Sequence, residues 1–440
     1  MFVNRTMLFS AALLCAASAS AAPMIRPGSV RCSQDPATKL VTVTFTVGDE
    51  LNQEPAIVTA DFETNVTGAA EGPWVSIGGE HCRNLGGDVN RILEPGEHSF
   101  HWRPDQCWPN HVLDADRFRV TVQAWAKDDP PDYLVCLLDP PRSYRFYTSE
   151  AALPGGIESE TYRRDKLVLR RIHAAGVTWR MGSPAGEKGR AGSIENVRAV
   201  TLSQDYYIGV FPFTLGQYCA VQGLNPSSRT REDILSPLVG WSWIHIRYNI
   251  SGNSYPDTDP IPWPEDRSVA SNSLMNSIRR ATGGIECDFT TAAQWEYACR
   301  AGTTSARFDG SECPYDWSKR WDADEDAAME DYAWYANNSG THIHPVGAKK
   351  PNPWGLYDLY GNVYEMCLDL EDTAYPTTPV TDPVGGTTGV KFLMCGGAHS
   401  CGSPFLRSAA RSTVHRRVGY EGEGEGAVLG FRLAAPAVIP

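Results

Sequence analysis

Gly355-Leu-Tyr-Asp358-Leu-Tyr-Gly361-Asn-Val363-Tyr-Glu365-Met-Cys367-Leu-Asp369 crowds glycine, tyrosine and carboxylate into one short stretch. Gly355 and Gly361 permit positive φ and the close approach of another chain. Asp358 and Glu365 supply carboxylate oxygens. A hard cation such as calcium takes carboxylates together with backbone carbonyls. Asp358 and Glu365, with the carbonyls of Gly361 and Val363 between them, offer that mixture. A buried turn whose carboxylates cap backbone amides would use the same residues.

Working outward, further motifs stand in a fixed order. They are Met181-Gly-Ser-Pro184, Tyr207-Ile-Gly-Val-Phe211, Thr291-Ala-Ala-Gln-Trp295-Glu-Tyr-Ala-Cys299-Arg-Ala-Gly302, Gly396-Gly397, Arg407-Ser-Ala-Ala-Arg411 and Leu429-Gly-Phe-Arg432. The central stretch is similar to the GLYDMHGNVWEW signature of the formylglycine-generating enzyme family, also called the sulfatase-modifying factor family. With the flanking motifs, the resemblance covers about residues 165–435. It implies a C-type-lectin-like α+β fold with little regular structure. It implies structural calcium at Asp358, Gly361, Val363 and Glu365. It also implies oxidation of a cysteine in a sulfatase-like polypeptide client to formylglycine by molecular oxygen. Copper(I) on two cysteines serves that reaction, and soft thiolates suit a soft monovalent ion.

Counting from Gly397, Cys401 falls on the first cysteine of that pair, which makes it the candidate catalytic residue. Phe405 or Leu406 stands where the second would be. Ala398, Pro212, Tyr364 and Val428 replace the family's serine, acid, tryptophan and asparagine. Copper(I) is therefore expected only if the chain is catalytic. The alternative is a non-catalytic protein on the same scaffold that binds a polypeptide or a glycan. Cys395 lies on the other side of the glycine pair, and an extended strand between it and Cys401 would hold the two apart. His399 stands near Cys401 and would lower its pKa if protonated and close. His342 and His344 form an H-x-H pair.

The chain has 440 residues, so two domains are expected. Apolar content of 42% and charged content of 21% fit a globular protein. The net charge of −13 argues against nucleic acid as a partner. Residues 1–21 read as a signal peptide: Arg5, the apolar run Met7–Ala17, then small residues, with cleavage near Ala21. That predicts a secreted or periplasmic protein. No later run is apolar for 18 residues, so no membrane span is expected.

Residues 24–148 read as an all-β sandwich of immunoglobulin or fibronectin type. Val41, Val43, Phe45 and Val47 alternate with threonines, and Phe118, Val120, Val122 and Ala124 alternate with polar residues. Residues 149–166 read as a linker. Residues 167–436 form the second domain, opening with the strand Leu167–Ile172. Thr214-Leu-Gly-Gln217 and Thr291-Ala-Ala-Gln294 are capping boxes that open short helices. A third helix is expected over Asn272–Ala281. Export permits disulfides, and Cys32, Cys82, Cys107 and Cys136 are expected to pair among themselves.

Overall fold

The computed structural model describes residues 22–65, 73–111, 113, 117–249, 268–371, 377–385, 390–415 and 428–439. The expected signal at 1–21 lies outside the described residues.

Two antiparallel sheets form the N-terminal part. One has the order Arg31–Gln34, Val41–Val47, Gly96–Trp102, Gly86–Gly87. In the other, Ala56–Asn65 pairs with Trp74–Ser76, Arg91–Leu93 and Phe118–Trp125. The period-two alternation of Val41–Val47 puts its valines and Phe45 inward and its threonines outward. Those side chains share one apolar cluster with Val58, Phe62, Phe100 and Trp102.

The expected boundary at residue 148 moves. A six-stranded sheet runs Ser143–Tyr147, Tyr133–Leu137, Lys166–Ile172, Tyr206–Gly209, Leu433–Pro436, Asp288–Phe289. Val135 stands opposite Val168 in this sheet. Residues 133–147 thus belong by hydrogen bonding to the C-terminal part. Tyr133–Leu137 and, within the next strand, Leu167–Leu169 are apolar runs, which suit strands covered on both faces. The stretch between them is no open linker, because Leu153, Ile157 and Tyr162 are buried there. Cys32, Cys82, Cys107 and Cys136 are all free thiols, so the expected pairing among them is not formed, and Cys136 moves with its strand. It is buried in the same cluster as Cys287, away from Cys82 in the N-terminal cluster.

Helices Leu215–Gln222 and Ala292–Arg300 both start at complete capping boxes, on Thr214 and Thr291. Leu274–Ala281 starts at Ser273 and buries Leu274 and Ile278. Ala301, not Gly302, takes the left-handed cap after Arg300, with φ 46°. A four-stranded sheet of order Arg411–His415, Lys391–Cys395, Tyr364–Leu370, Leu429–Gly430 carries the signature stretch. Among the described residues, no helix is long and apolar enough to cross a membrane.

Candidate functional site at the buried carboxylates and Cys401

Strand Tyr364–Leu370 is buried along its whole length. It pairs antiparallel with Lys391–Cys395, with Glu365 opposite Cys395, and parallel with Leu429–Gly430. Alternation sends Glu365, Cys367 and Asp369 to one face and Tyr364, Met366 and Leu368 to the other.

The first face meets helix Ala292–Arg300. Glu365 Oε2 accepts from Trp295 Nε1 at 2.7 Å and from Arg432 Nε at 3.0 Å. Its Oε1 accepts from Arg432 Nη2 at 2.7 Å. Arg432 spends its remaining N–H groups on the carbonyls of Gly209, Val210 and Tyr357. All five guanidinium donors are therefore used, as a buried arginine requires. Asp369 accepts the Ala292 amide at 2.7 Å and so satisfies the first amide of the helix. Burial pushes its pKa up to about 6.

Asp358 sits before this strand with φ 54°. Its Oδ2 accepts the Gly347 amide at 2.6 Å. Burial is the main cause that pushes it up to about 6; the Gly347 amide and Arg432 oppose this, and Glu365 adds to it. Gly361 is required as glycine: a Cβ there would lie 2.1 Å from the Trp334 carbonyl oxygen. Asn362 ties the neighbouring loops together. Its side chain accepts from the His344 amide at 2.9 Å and donates to the His344 carbonyl at 3.0 Å. Its carbonyl accepts the His399 amide at 3.0 Å.

The expected calcium set is thus partly committed. Glu365 holds three donors, and Asp358 holds one. Two ionised carboxylates offer about eight acceptor positions between them. Arg432 faces both of them, and Arg163 also faces Asp358. The pair therefore keeps acceptor capacity of the oxygen kind that calcium takes, with its two charges already faced by two arginines.

Cys401 is fully buried on the other side of the strand, against Phe405 and Ala398. Its Sγ lies 3.0 Å from Tyr364 Oη. Burial pushes the thiol up to about 11, although the phenol pulls it down. One thiol beside a phenol is not the two-thiolate donor set that copper(I) takes. Cys395 turns elsewhere, because its sulfur lies 3.8 Å from that of Cys367. Nor is His399 poised to activate Cys401. Burial first, then His342 and His344, hold its pKa down, so the imidazole stays neutral. The rings of His342 and His344 lie tilted against each other at 4.5 Å, and His344 stacks on Trp334 at 3.8 Å. Among the described residues there is no group of three or more His, Cys, Asp or Glu placed to hold a metal ion.

Residues 175–437 match the family described as "Sulfatase-modifying factor enzyme 1-like domain". The chain belongs to this family. It is 32% identical over 195 residues to a Paenibacillus barcinonensis protein named "Chaperone protein LppX", covering 41% of this chain and 66% of that one. It is 31% identical over 149 residues to a Streptomyces coelicolor protein named "Formylglycine-generating enzyme", covering 33% and 46%. The chain thus spans about half to two thirds of the length of these relatives. Among solved structures, Treponema denticola variable protein 1 superposes with a TM-score of 0.43 at 24% identity, covering 62% of this chain and 95% of that one.

The resemblance points to Asp358 and Glu365, whereas nothing in it assigns Trp295 or Arg432 to Glu365. A signal for Arg432 was present: an arginine in an otherwise apolar run, Leu429–Ala435, needs a buried anion. Cys367 was also passed over, although it lies inside the signature.

Proposed function

We propose that this is an exported protein that binds a polypeptide client on the family scaffold and does not oxidise a cysteine through Cys401. The observation that carries this reading is the state of Cys401: buried, held by Tyr364, and without the sulfur of Cys395. A nucleophilic or metal-binding cysteine needs its thiolate and an approach. The name of the Paenibacillus relative, a chaperone, supports a polypeptide client. In this reading the N-terminal sheets form an immunoglobulin- or fibronectin-like sandwich that serves as an accessory or spacer module. The C-terminal part takes the family's C-type-lectin-like arrangement.

Calcium at Asp358, Glu365 and the carbonyls of Gly361 and Val363 is part of this proposal. It would use the acceptor positions left on the two carboxylates and hold the signature turn. It would contribute no reaction step. Calorimetry should register calcium binding, and the melting temperature should rise, since a ligand of the native state alone stabilises it. No heat and no shift would remove the site and leave the two carboxylates as structural acceptors.

The client reading is tested with a sulfatase-type cysteine peptide. Fluorescence anisotropy should show the labelled peptide binding. Mass spectrometry after incubation with copper(I) and oxygen should show the thiol unchanged. An aldehyde product that Cys401→Ala abolishes would overturn the proposal.

A further inference from the structure

A hollow of about 80 Å³ lies where the N-terminal sheets meet the six-stranded sheet. Cys82, Arg83 and Asn90 line it from the N-terminal part, and Arg145, Tyr147 and Pro154 from the other side. All of them lie outside residues 175–437, which carry the family match. Backbone hydrogen bonds fix the two walls. The Phe146 amide donates to the Asn90 carbonyl at 2.8 Å, and the Gly155 amide donates to the Gly79 carbonyl at 3.3 Å.

Strand Ser143–Tyr147 sends Arg145 and Tyr147 to one face, because they are two residues apart. Phe146 turns the other way and is fully buried. The Tyr147 phenol hydrogen-bonds with the Asn90 side chain and faces Arg145. Burial pushes Tyr147 up to about 12 against the pull of Arg145, so the phenol keeps its proton and can donate it.

Arg145 is half-buried. An arginine carries five N–H donors. Among the described residues this one donates to a single partner, the Tyr144 carbonyl, at 2.8 Å. No carboxylate faces it there. The neighbouring charge is that of Arg91, and burial and Arg91 together hold its pKa down. Neither Arg83 nor Arg91 makes an ion pair among the described residues. Elsewhere the chain does the opposite. Buried Arg247, Arg307, Arg407 and Arg432 each hold a carboxylate. Acids are not scarce, with 52 Asp and Glu against 39 Lys and Arg. A partly desolvated cation beside a second cation favours an anion between them.

Size and geometry decide the class of anion. One water needs about 10–15 Å³, and pockets for drug-sized ligands run about 300–1,000 Å³. The hollow suits one compact ion. Arg83 and Arg145 approach from opposite walls and Tyr147 lies beside them. A tetrahedral anion presents oxygens in several directions at once, whereas a carboxylate presents them in one plane. The guanidinium fork matches such oxygens.

We propose that Arg83, Arg145 and Tyr147 form a binding site for one compact tetrahedral oxyanion of the phosphate or sulfate kind, which bridges the N-terminal sheets and the C-terminal part. The two guanidinium groups and the phenol donate to the anion, and Arg91 adds positive charge nearby. No covalent bond forms or breaks. The site does not rest on the client reading, and either can fail without the other.

The test uses the purified mature protein in chloride buffer at constant ionic strength, titrated with sodium phosphate or sulfate. Calorimetry should show one anion per chain. The melting temperature should rise with the anion and stay fixed in matched chloride. Arg145→Gln should abolish binding, and Arg83→Gln should weaken it about tenfold or more. Arg31→Gln, on the edge strand Arg31–Gln34, should bind as wild type does. Arg83 is exposed, so Arg83→Gln carries the test where Arg145→Gln fails to fold. Methyl phosphate separates two sources of the anion. Binding as tight as that of phosphate supports the site with the anion as the end group of a larger ligand, and rejection supports it with a free ion. Absence of binding beyond the chloride control would overturn the proposal. So would undiminished binding by both Arg83→Gln and Arg145→Gln, or an equal loss in Arg31→Gln.

Discussion

Tyr364 and Glu365 are sequence neighbours that point to opposite sides of one buried strand. On Tyr364's side lie Cys401, Phe405 and Met366, and the Cys401 thiol rests on the Tyr364 phenol. On Glu365's side lie Trp295, Arg432, Cys367 and Cys395, and a single carboxylate holds three donors. Both sides are equally dry. They differ in how much charge must be satisfied. A buried ion has to be matched donor for donor, so the Glu365 side tolerates little change. The Cys401 side is mostly apolar, and the groups that meet there are a thiol and a phenol.

This contrast predicts an order of effects. Glu365→Ala should be the most damaging change, because it strands Arg432 without its counter-charge. Loss of one partner of a buried pair costs about 3–5 kcal/mol. Chemical denaturation should show this loss, or the variant should fail to fold. Trp295→Phe keeps an aromatic ring but removes one donor to an ionised acceptor. It should cost about 2 kcal/mol in the same measurement. Tyr364→Phe removes the phenol from a neutral thiol and should cost about 1 kcal/mol or less. A Tyr364→Phe variant as unstable as Trp295→Phe would show that the two sides are not energetically distinct.

Thiol reactivity sharpens the same comparison at the smallest scale. With its pKa pushed up to about 11, Cys401 is thiolate in roughly one molecule per thousand at pH 8, and it is buried as well. Exposed Cys32 should be alkylated first by iodoacetamide in the native protein, with Cys401 protected until the protein unfolds. Peptide mass spectrometry after timed quenching reads this directly. Early alkylation of Cys401 would show an opening to solvent on the Tyr364 side.

Local signals were legible wherever short-range chemistry decided the outcome. The capping boxes at Thr214 and Thr291 start their helices where the threonine and glutamine spacing required. Val41–Val47 alternates as its sequence does. The boundary near residue 148 was misread, because Pro154-Gly155-Gly156 signals a turn but says nothing of which sheet the preceding strand joins. Tyr133–Leu137 was claimed by a partner more than thirty residues later in the chain, in Lys166–Ile172. The pairing of Cys136 was misplaced for the same reason.

From residue identity and spacing alone, the chain determined its family, the positions of three of its helices, and Asp358 and Glu365 as the carboxylates of the signature. Each of these rests on residues within a few positions of one another, where backbone geometry leaves little freedom. The tertiary structure alone decided that Arg432 and Trp295 hold Glu365, that Cys401 rests on Tyr364, and that the sulfur beside Cys395 is Cys367. Those contacts join residues between 28 and 70 apart in sequence. They depend on strand register, and a shift of one residue would turn every side chain of Tyr364–Leu370 to the opposite face.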